Sequence, residues 1–359
     1  MKAGYKLSGG LFLLAGLSLL MSFALKTNPG REKAAKPKRI LLTENKAEKR
    51  VDISIDGQPF TSYIYPDNLK KPVLYPLRTA QGTLITRGWP LQPRPGERVD
   101  HPHHVGLWFN YGDVNGYDFW NNSTTIDPGN RSPFGTIVHQ EVNKLVSGNK
   151  KGELEVTSNW QKPDGTVLLQ ENTHYIFSGA GNTRIIDRIT TLTAQQEDVL
   201  FKDNKEGLVA LRVSRELEHP STQPEIFTDA SGHPTLLPQM NTEGITGLYR
   251  SSEGKEGHAV WGTRAKWVNL MGKIGSEPIA LVLMDHPDNI GYPAYWHARG
   301  YGLFGANNLG YYAMSNGKEV LNYKLQAGKS VTFRHRVLIH TGSTLPDNQV
   351  NKAYNQFSE

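Results

Sequence analysis

Leu154-Glu155-Val156-Thr157-Ser158-Asn159-Trp160 is followed by Gln161-Lys162, the turn Pro163-Asp164-Gly165, and then Thr166-Val167-Leu168-Leu169. An extended chain points successive side chains to opposite faces, so Leu154, Val156, Ser158 and Trp160 share one face of a strand. Pro-Asp-Gly supplies the reversal, Pro by fixing φ and Gly by tolerating a left-handed conformation. The stretch therefore reads as an antiparallel hairpin with one buried face.

The same two-residue period recurs outward from this hairpin. Val51, Ile53 and Ile55 alternate with Asp52, Ser54 and Asp56 before Gly57, and Val331, Phe333, His335, Val337 and Ile339 share a face near the other end. Arg184 to Leu192, Leu208 to Val213 and Pro278 to Met284 are further strand candidates. Beyond a few short candidates, no window shows helical periodicity with capping residues. With 36 Gly and 21 Pro punctuating short strands, the expected class is all-β, a large antiparallel β-sandwich. No internal repeat or break in composition divides the chain, so residues 51–345 are expected to form a single sandwich domain, with 346–359 a C-terminal tail.

The 359 residues contain no cysteine, which excludes a disulfide scaffold, a thiolate metal site and a cysteine nucleophile. The net charge of +6 is unevenly placed: residues 1–50 hold 11 Lys and Arg against 3 Glu, leaving 29 basic and 31 acidic side chains in the rest. A body so balanced lacks the electrostatic footprint of a nucleic-acid binder, and no nucleic-acid partner is expected. Lys2 and Lys6 precede an apolar run from Leu11 to Leu25, with small Ser22 and Ala24 at its end. That is the order of a secretory signal peptide cleaved near Ala24, and an uncleaved N-terminal anchor is the alternative. Residues 1–25 are thus read as leader and 26–50 as a polar linker. The expected location is the periplasm or cell surface, with membrane contact only through a retained leader.

Three segments concentrate chemically capable side chains. The first runs Asp100-His101-Pro102-His103-His104-Val105-Gly106-Leu107-Trp108-Phe109 and continues through Asp113, Asn115 and Trp120. If the segment is extended, His101 and His103 face one way and His104 the other. Imidazoles this close are candidate proton-transfer groups near neutral pH, and a divalent metal held by histidines is the alternative, with nitrogen and oxygen ligands only. The bland alternative is a loop whose histidines cap backbone groups and stack on tryptophan.

The second segment is Phe201-Lys202-Asp203-Asn204-Lys205-Glu206-Gly207, where a turn enters an apolar strand. Glu206 is the candidate acid or base there, with Lys205 or Arg212 as its charge partner; a solvated hairpin turn is the competing reading. The third contains His286-Pro287, then Trp296-His297-Ala298-Arg299 and several aromatic residues. His297 and Arg299 share a face, and aromatic rings beside Arg and His suit a sugar, whose C–H faces stack on rings while its hydroxyls take hydrogen bonds. Aromatic residues in strands also serve as packing. No nucleophile elbow, phosphate-binding loop or dinucleotide fingerprint is present.

Taken together, these segments resemble the PmoA-like family, exported bacterial proteins often labelled "methane oxygenase PmoA". The resemblance runs from about Val51 to Gly342. It is carried by His103-His104 with Leu107-Trp108-Phe109, by Gly112-Asp113-Val114-Asn115-Gly116 with Asp118-Phe119-Trp120, by Lys205-Glu206-Gly207, by Trp261-Gly262 with Trp267, by His286-Pro287, and by Trp296-His297-Arg299 through Phe304. Asn308 departs from the family pattern, which often has Pro there. The oxygenase label conflicts with the absence of any spanning segment after the leader. What the resemblance implies instead is a β-rich exported fold similar to the sandwiches of sugar mutarotases, in the company of polysaccharide-degrading systems.

The leading expectation is an exported carbohydrate-active enzyme, a hydrolase, lyase or epimerase using His and Glu acid–base chemistry. His103, His104, Glu206 and His297 are the catalytic candidates. Arg299, Trp108, Asp113, Asn115, Trp120, Lys205, His286 and Trp296 are the substrate-binding candidates. A noncatalytic carbohydrate-binding protein, a metal-dependent enzyme or oxygenase and a structural envelope protein are the competitors.

Overall fold

In the computed structural model, which describes residues 39–237 and 241–359, two eight-stranded antiparallel sheets pack face to face, as the alternating pattern predicts. The first sheet runs, in hydrogen-bonded order, Ile40–Asn45, Arg50–Ile55, Gln58–Ile64, Val73–Leu74, Leu107–Tyr111, Gly207–Arg212, Leu303–Asn307 and Tyr295–Ala298. The second runs Leu248–Ser251, Trp267–Ile274, Glu277–Asp285, Ser330–Thr341, Thr183–Ala194, Val167–Ala180, Lys151–Gln161 and Thr136–Val146. The hairpin that opened the reading pairs Leu154 with Tyr175 and Trp160 with Leu169, so its buried face is the inner face of the second sheet.

Aromatic rings close the space between the sheets. Phe60 meets Phe177 edge-on at 6.4 Å, and Phe109 lies 5.9 Å from Phe333 and 6.3 Å from Trp160. Trp160 donates its indole N–H to Glu171 at 2.8 Å, and Glu171 accepts from Arg188 at 2.6 Å, so the polar groups carried into this core are paired.

Two boundaries differ from the sequence reading. The linker assigned to 26–50 already contains the strand Ile40–Asn45, which buries Ile40 and Leu42 against Gly152 of the second sheet. A Cβ at Gly152 would lie 2.5 Å from Leu42 Cδ1 and 2.7 Å from Ile40 Cγ2, so the absent side chain makes the docking possible. Gly152→Val is expected to lower stability by about 1–3 kcal/mol through overpacking, read as a shift in the urea midpoint with an unchanged slope. The tail assigned to 346–359 contains the helix Asp347–Ser358, which buries Val350 and Tyr354 against Trp267, Val282 and Met284 on the outer face of the second sheet. Those positions are four apart, a helical spacing short enough to escape notice beside so much alternation. The leader read over 1–25 and the linker up to residue 38 lie outside the described residues. Among the described residues no helix is long and apolar enough to cross a membrane.

Along much of the second sheet, side chains alternate between buried and half-exposed, but Leu107–Tyr111, Gly207–Arg212, Leu303–Asn307 and Tyr295–Ala298 of the first are buried on both faces. Loops 75–106 and 112–135, with Tyr301, cover their outer face, where Tyr75, Val105, Trp108, Trp120, Ala210 and Leu303 form a separate apolar cluster. The candidate site lies under this cover.

Candidate active site

Strand register decides which residues meet on the covered face. Trp108 pairs with Ala210, Ala210 with Gly305, and Gly305 with His297, forming one row across the last four strands of the first sheet. Their strand neighbours Phe109, Val209, Phe304, Ala306, Trp296 and Ala298 point into the inter-sheet core. The two small residues in the row leave room for Trp120, whose ring sits 5.3 Å from Trp108 and is stacked on His297 at 6.3 Å.

The segment 100–104 is a turn, so the extended geometry assumed for its histidines does not hold. The His104 amide donates to the His101 carbonyl at 3.0 Å, and His101 sits in the left-handed region with φ 46°. All three rings therefore converge. Tyr301, His101, His104 and Trp108 stack in a column with centroid spacings of 5.1, 4.7 and 5.2 Å. His103 stands edge-on to His104 at 4.4 Å.

Buried cations fix this turn. Arg87 donates to the carbonyls of Asp100, His101 and His104 at 2.8, 3.0 and 3.1 Å, and Lys71 donates to the carbonyl of His103 at 2.8 Å. The Asp100 carboxylate accepts from both Arg87 and Arg212 at 2.6 Å. Burial opposes ionisation of Asp100, but Arg212, the hydrogen bond from His101 and Arg87 together hold its pKa below the usual carboxylate range.

These contacts assign protons. Asp100 Oδ2 lies 2.9 Å from His101 Nδ1, so Nδ1 carries the hydrogen that it donates to the carboxylate. Arg212 Nη1 is 3.3 Å from His104 Nδ1, and a guanidinium only donates, so Nδ1 accepts and His104 Nε2 carries the hydrogen. That Nε2 is buried and has no partner, as are His103 Nε2 and His297 Nδ1. Burial, with Lys71 next in effect, pushes the His103 pKa down to about 2. Burial, then Arg299 and Lys205, pushes that of His297 down to about 3, and burial lowers that of His104 well below its ordinary value. The three are neutral imidazoles.

Glu206 closes the ring of groups. Its Oε2 is 3.8 Å from His297 Nδ1 and its Oε1 is 3.5 Å from Lys205 Nζ. Burial raises its pKa above the ordinary glutamate value despite Lys205. His101, His103, His104, Trp120, Asn121, Lys205, Glu206, His297, Arg299 and Tyr301 line one cavity of about 230 Å³.

Of the sequence candidates, His103, His104, Glu206, His297, Arg299, Trp120 and Lys205 line this cavity, and Trp108 stacks beneath His104. Four lie elsewhere. Asp113 accepts from the Gly116 amide at 3.0 Å, and Asn115, with φ 53°, bonds to the backbone of Asp198 and Leu200, so both build a turn. His286 accepts from the Asp288 amide and packs edge-on against Phe357. Trp296 points into the core and donates to the Ala265 carbonyl at 2.9 Å. The sequence reading undervalued His101, Tyr301 and the organising Arg87. For His101 a signal existed in the adjacent Asp100; for Arg87 there was none, because its partners lie 11 to 17 residues away.

For the alternative of a histidine-held metal, the ligand atoms of the cavity do not cluster. Among the described residues, the grouping with three ligand atoms within 4.8 Å of one another is Glu153, Glu155 and His174, on the solvent face of the second sheet. Its carboxylates already pair with Lys144 at 2.6 and 3.1 Å, which leaves little charge for a cation.

No curated protein matches the sequence. Solved structures similar to the chain include the galactosidase domain of an α-galactosidase-sucrose kinase, at 10% identity and a TM-score of 0.38 over 84% of this chain and 42% of that one. An α-galactosidase from Lactobacillus brevis is similar at 11% identity and 0.38, over 89% and 42% respectively. A candidate aldose 1-epimerase from Escherichia coli K12 is similar at 9% identity and 0.35, over 85% and 99%. The chain thus spans about two fifths of the α-galactosidase chains it matches. Likenesses at this level leave the function to be read from the cavity itself.

The family resemblance drawn from the sequence is corrected by the match of residues 50–355 to a different family model, and nothing supports PmoA-like membership. On that match, which takes in most of both sheets and every residue lining the cavity, the chain belongs to a family of unknown function, DUF6807.

Proposed function

We propose that this protein is an exported carbohydrate-active enzyme that works on a single sugar ring by proton transfer, as an epimerase or lyase. One observation carries the reading: a carboxylate whose ionisation is opposed by burial shares a small cavity with the His101 ring and with a neutral His104 imidazole whose Nε2–H is buried and unpartnered. Epimerisation and elimination each need one proton taken and one given. Glu206 takes the proton and, once protonated, gives one back, the His104 Nε2–H donates a hydrogen bond to the oxygen on which charge develops, and Trp120 offers an apolar edge to the ring. A cavity of about 230 Å³ is below the usual size for drug-like ligands and suits one ring.

Glycoside hydrolysis is the weaker form of this reading. It commonly uses two carboxyl groups flanking the scissile bond, and Glu206 is the one carboxylate among the residues lining the cavity. The test is a panel of monosaccharides and short glycans followed by NMR in D₂O, with anomer exchange, deuterium incorporation at ring carbons and appearance of unsaturated product as readouts. Turnover of one sugar class is expected. Sugar binding without exchange, incorporation or product would leave a noncatalytic binding protein instead.

The pH profile carries a sign. A glutamate raised above its ordinary value of about 4.3 becomes protonated earlier on acidification. The acid limb of kcat/KM is therefore expected at a pH above that value, with activity lost as pH falls through the raised pKa of Glu206.

A further inference from the structure

The cavity contains a cation that nothing among the described residues satisfies. The Arg299 side chain makes no hydrogen bond or ion pair among the described residues. Its Nε is buried without a partner, and its guanidinium lies 4.7 Å over the Trp261 ring. Lys205 stands on the same cavity with Glu206 as its only close acidic neighbour, at 3.5 Å. Elsewhere in the molecule buried or half-buried arginines are held by carboxylates: Arg98 by Glu218 at 2.7 Å, Arg188 by Glu171 at 2.6 Å and Arg336 by Asp187 at 2.6 Å. Arg78 and Arg184, which lack a carboxylate, donate to backbone carbonyls instead, so a half-buried guanidinium with no acceptor is the exception among the described arginines, and it faces the site.

The surroundings share its sign. After burial, the charges that depress His103, His104 and His297 come from Lys71, Arg87, Arg212, Arg299 and Lys205 and from the neighbouring histidines His101 and His103. Among the lining lysine, arginine and carboxylate side chains, Arg299 and Lys205 face the single carboxylate of Glu206, which leaves one positive charge uncancelled. A monoanion balances that charge, whereas a phosphate dianion would overshoot it beside Glu206.

We infer that the ligand is an acidic sugar, a uronate ring whose carboxylate is received by Arg299 with Lys205 beside it. A guanidinium matches a carboxylate with two parallel hydrogen bonds, and it holds the ring in one orientation over Glu206 and the histidines. A carboxylate also acidifies the C–H next to it, the kind of proton these groups are placed to remove. The inference rests on the sugar-ring reading above and narrows its substrate class.

The test is a calorimetric titration of the intact protein with galacturonate, glucuronate and digalacturonate, set beside galactose, glucose, glucose 6-phosphate and inorganic phosphate, at two salt concentrations. At least one uronate is expected to bind ten-fold or more tightly than its neutral counterpart, and less tightly at high salt. Arg299→Gln is expected to erase that preference, and Arg299→Lys to restore part of it. Lys205→Gln, at a half-exposed position, gives a second reading if the first variant folds poorly. Equal affinity for acidic and neutral sugars would overturn the uronate assignment and leave the sugar-ring reading standing. Phosphate binding as tightly as any uronate, or a preference surviving both Gln variants, would also overturn it. Failure of every sugar to bind would bring down both readings together.

Discussion

Glu206→Gln is expected to lower turnover by roughly 10²–10⁴-fold, the usual contribution of a positioned acid or base, while the protein melts at a temperature no lower than before. The amide keeps the volume and can still accept from Lys205, but it cannot take a proton. The stability half of the expectation follows from the direction of the shift. Burial raises the pKa of Glu206, so its ionised form weighs against the folded state at neutral pH, and a neutral amide removes that penalty. The group stabilises the fold only where it is protonated, below its unfolded pKa, and that contribution is lost as pH rises through the raised folded value. Turnover and thermal melting measured on the same preparation check both halves. A variant of unchanged activity would remove Glu206 from the chemistry, and one that melts well below wild type would make it a structural residue.

Asp100→Ala is expected to cost about 3–5 kcal/mol, because it strips the shared carboxylate from two guanidiniums that are almost wholly enclosed. Arg87 is 1% and Arg212 0% exposed, so neither can turn to water for compensation. The loss should appear as a lower urea midpoint, and as disorder in the His101 ring, whose Nδ1 depends on the same carboxylate. The pH dependence distinguishes charge from packing. A carboxylate held below its unfolded pKa contributes its full stability above about 3.9 and loses it as pH falls below that value. Wild type and Asp100→Asn should therefore differ most near neutrality and converge in acid. A constant difference across that range would point to shape alone.

The alternating strands could be read because one of their faces meets water. Leu154, Val156 and Trp160, or Val331, Phe333 and Val337, announce a buried side by contrast with their neighbours. Leu107–Tyr111 and Gly207–Arg212 carry no such contrast, since loops cover their outer face; composition alone marks Leu208 to Val213 as a strand, and the sequence reading does not mark Leu107–Tyr111. The same covering made the site partly legible. His103, His104, Glu206, His297 and Arg299 stood out as polar groups in apolar company, which is the local signature of a lined cavity. Trp296 could have been excluded by parity, because His297 and Arg299 occupy the opposite face of its strand. Asp113 and Asn115 could not be told from ligand-binding groups, since a polar turn and a polar pocket use the same residues. The folding of 100–104 into a turn depends on Arg87 and Lys71, distant in sequence, and no local pattern encodes it.

The row from Trp108 through Ala210 and Gly305 to His297 also gives the molecule an optical property. Trp120 rests on that row with its indole against the His297 ring, and Trp108 lies against His104. Indole emission responds to the charge of an adjacent imidazole and to the exclusion of solvent from its ring. Intrinsic fluorescence should therefore register both the arrival of a ligand and any proton it leaves behind, without a label and from inside the cavity itself.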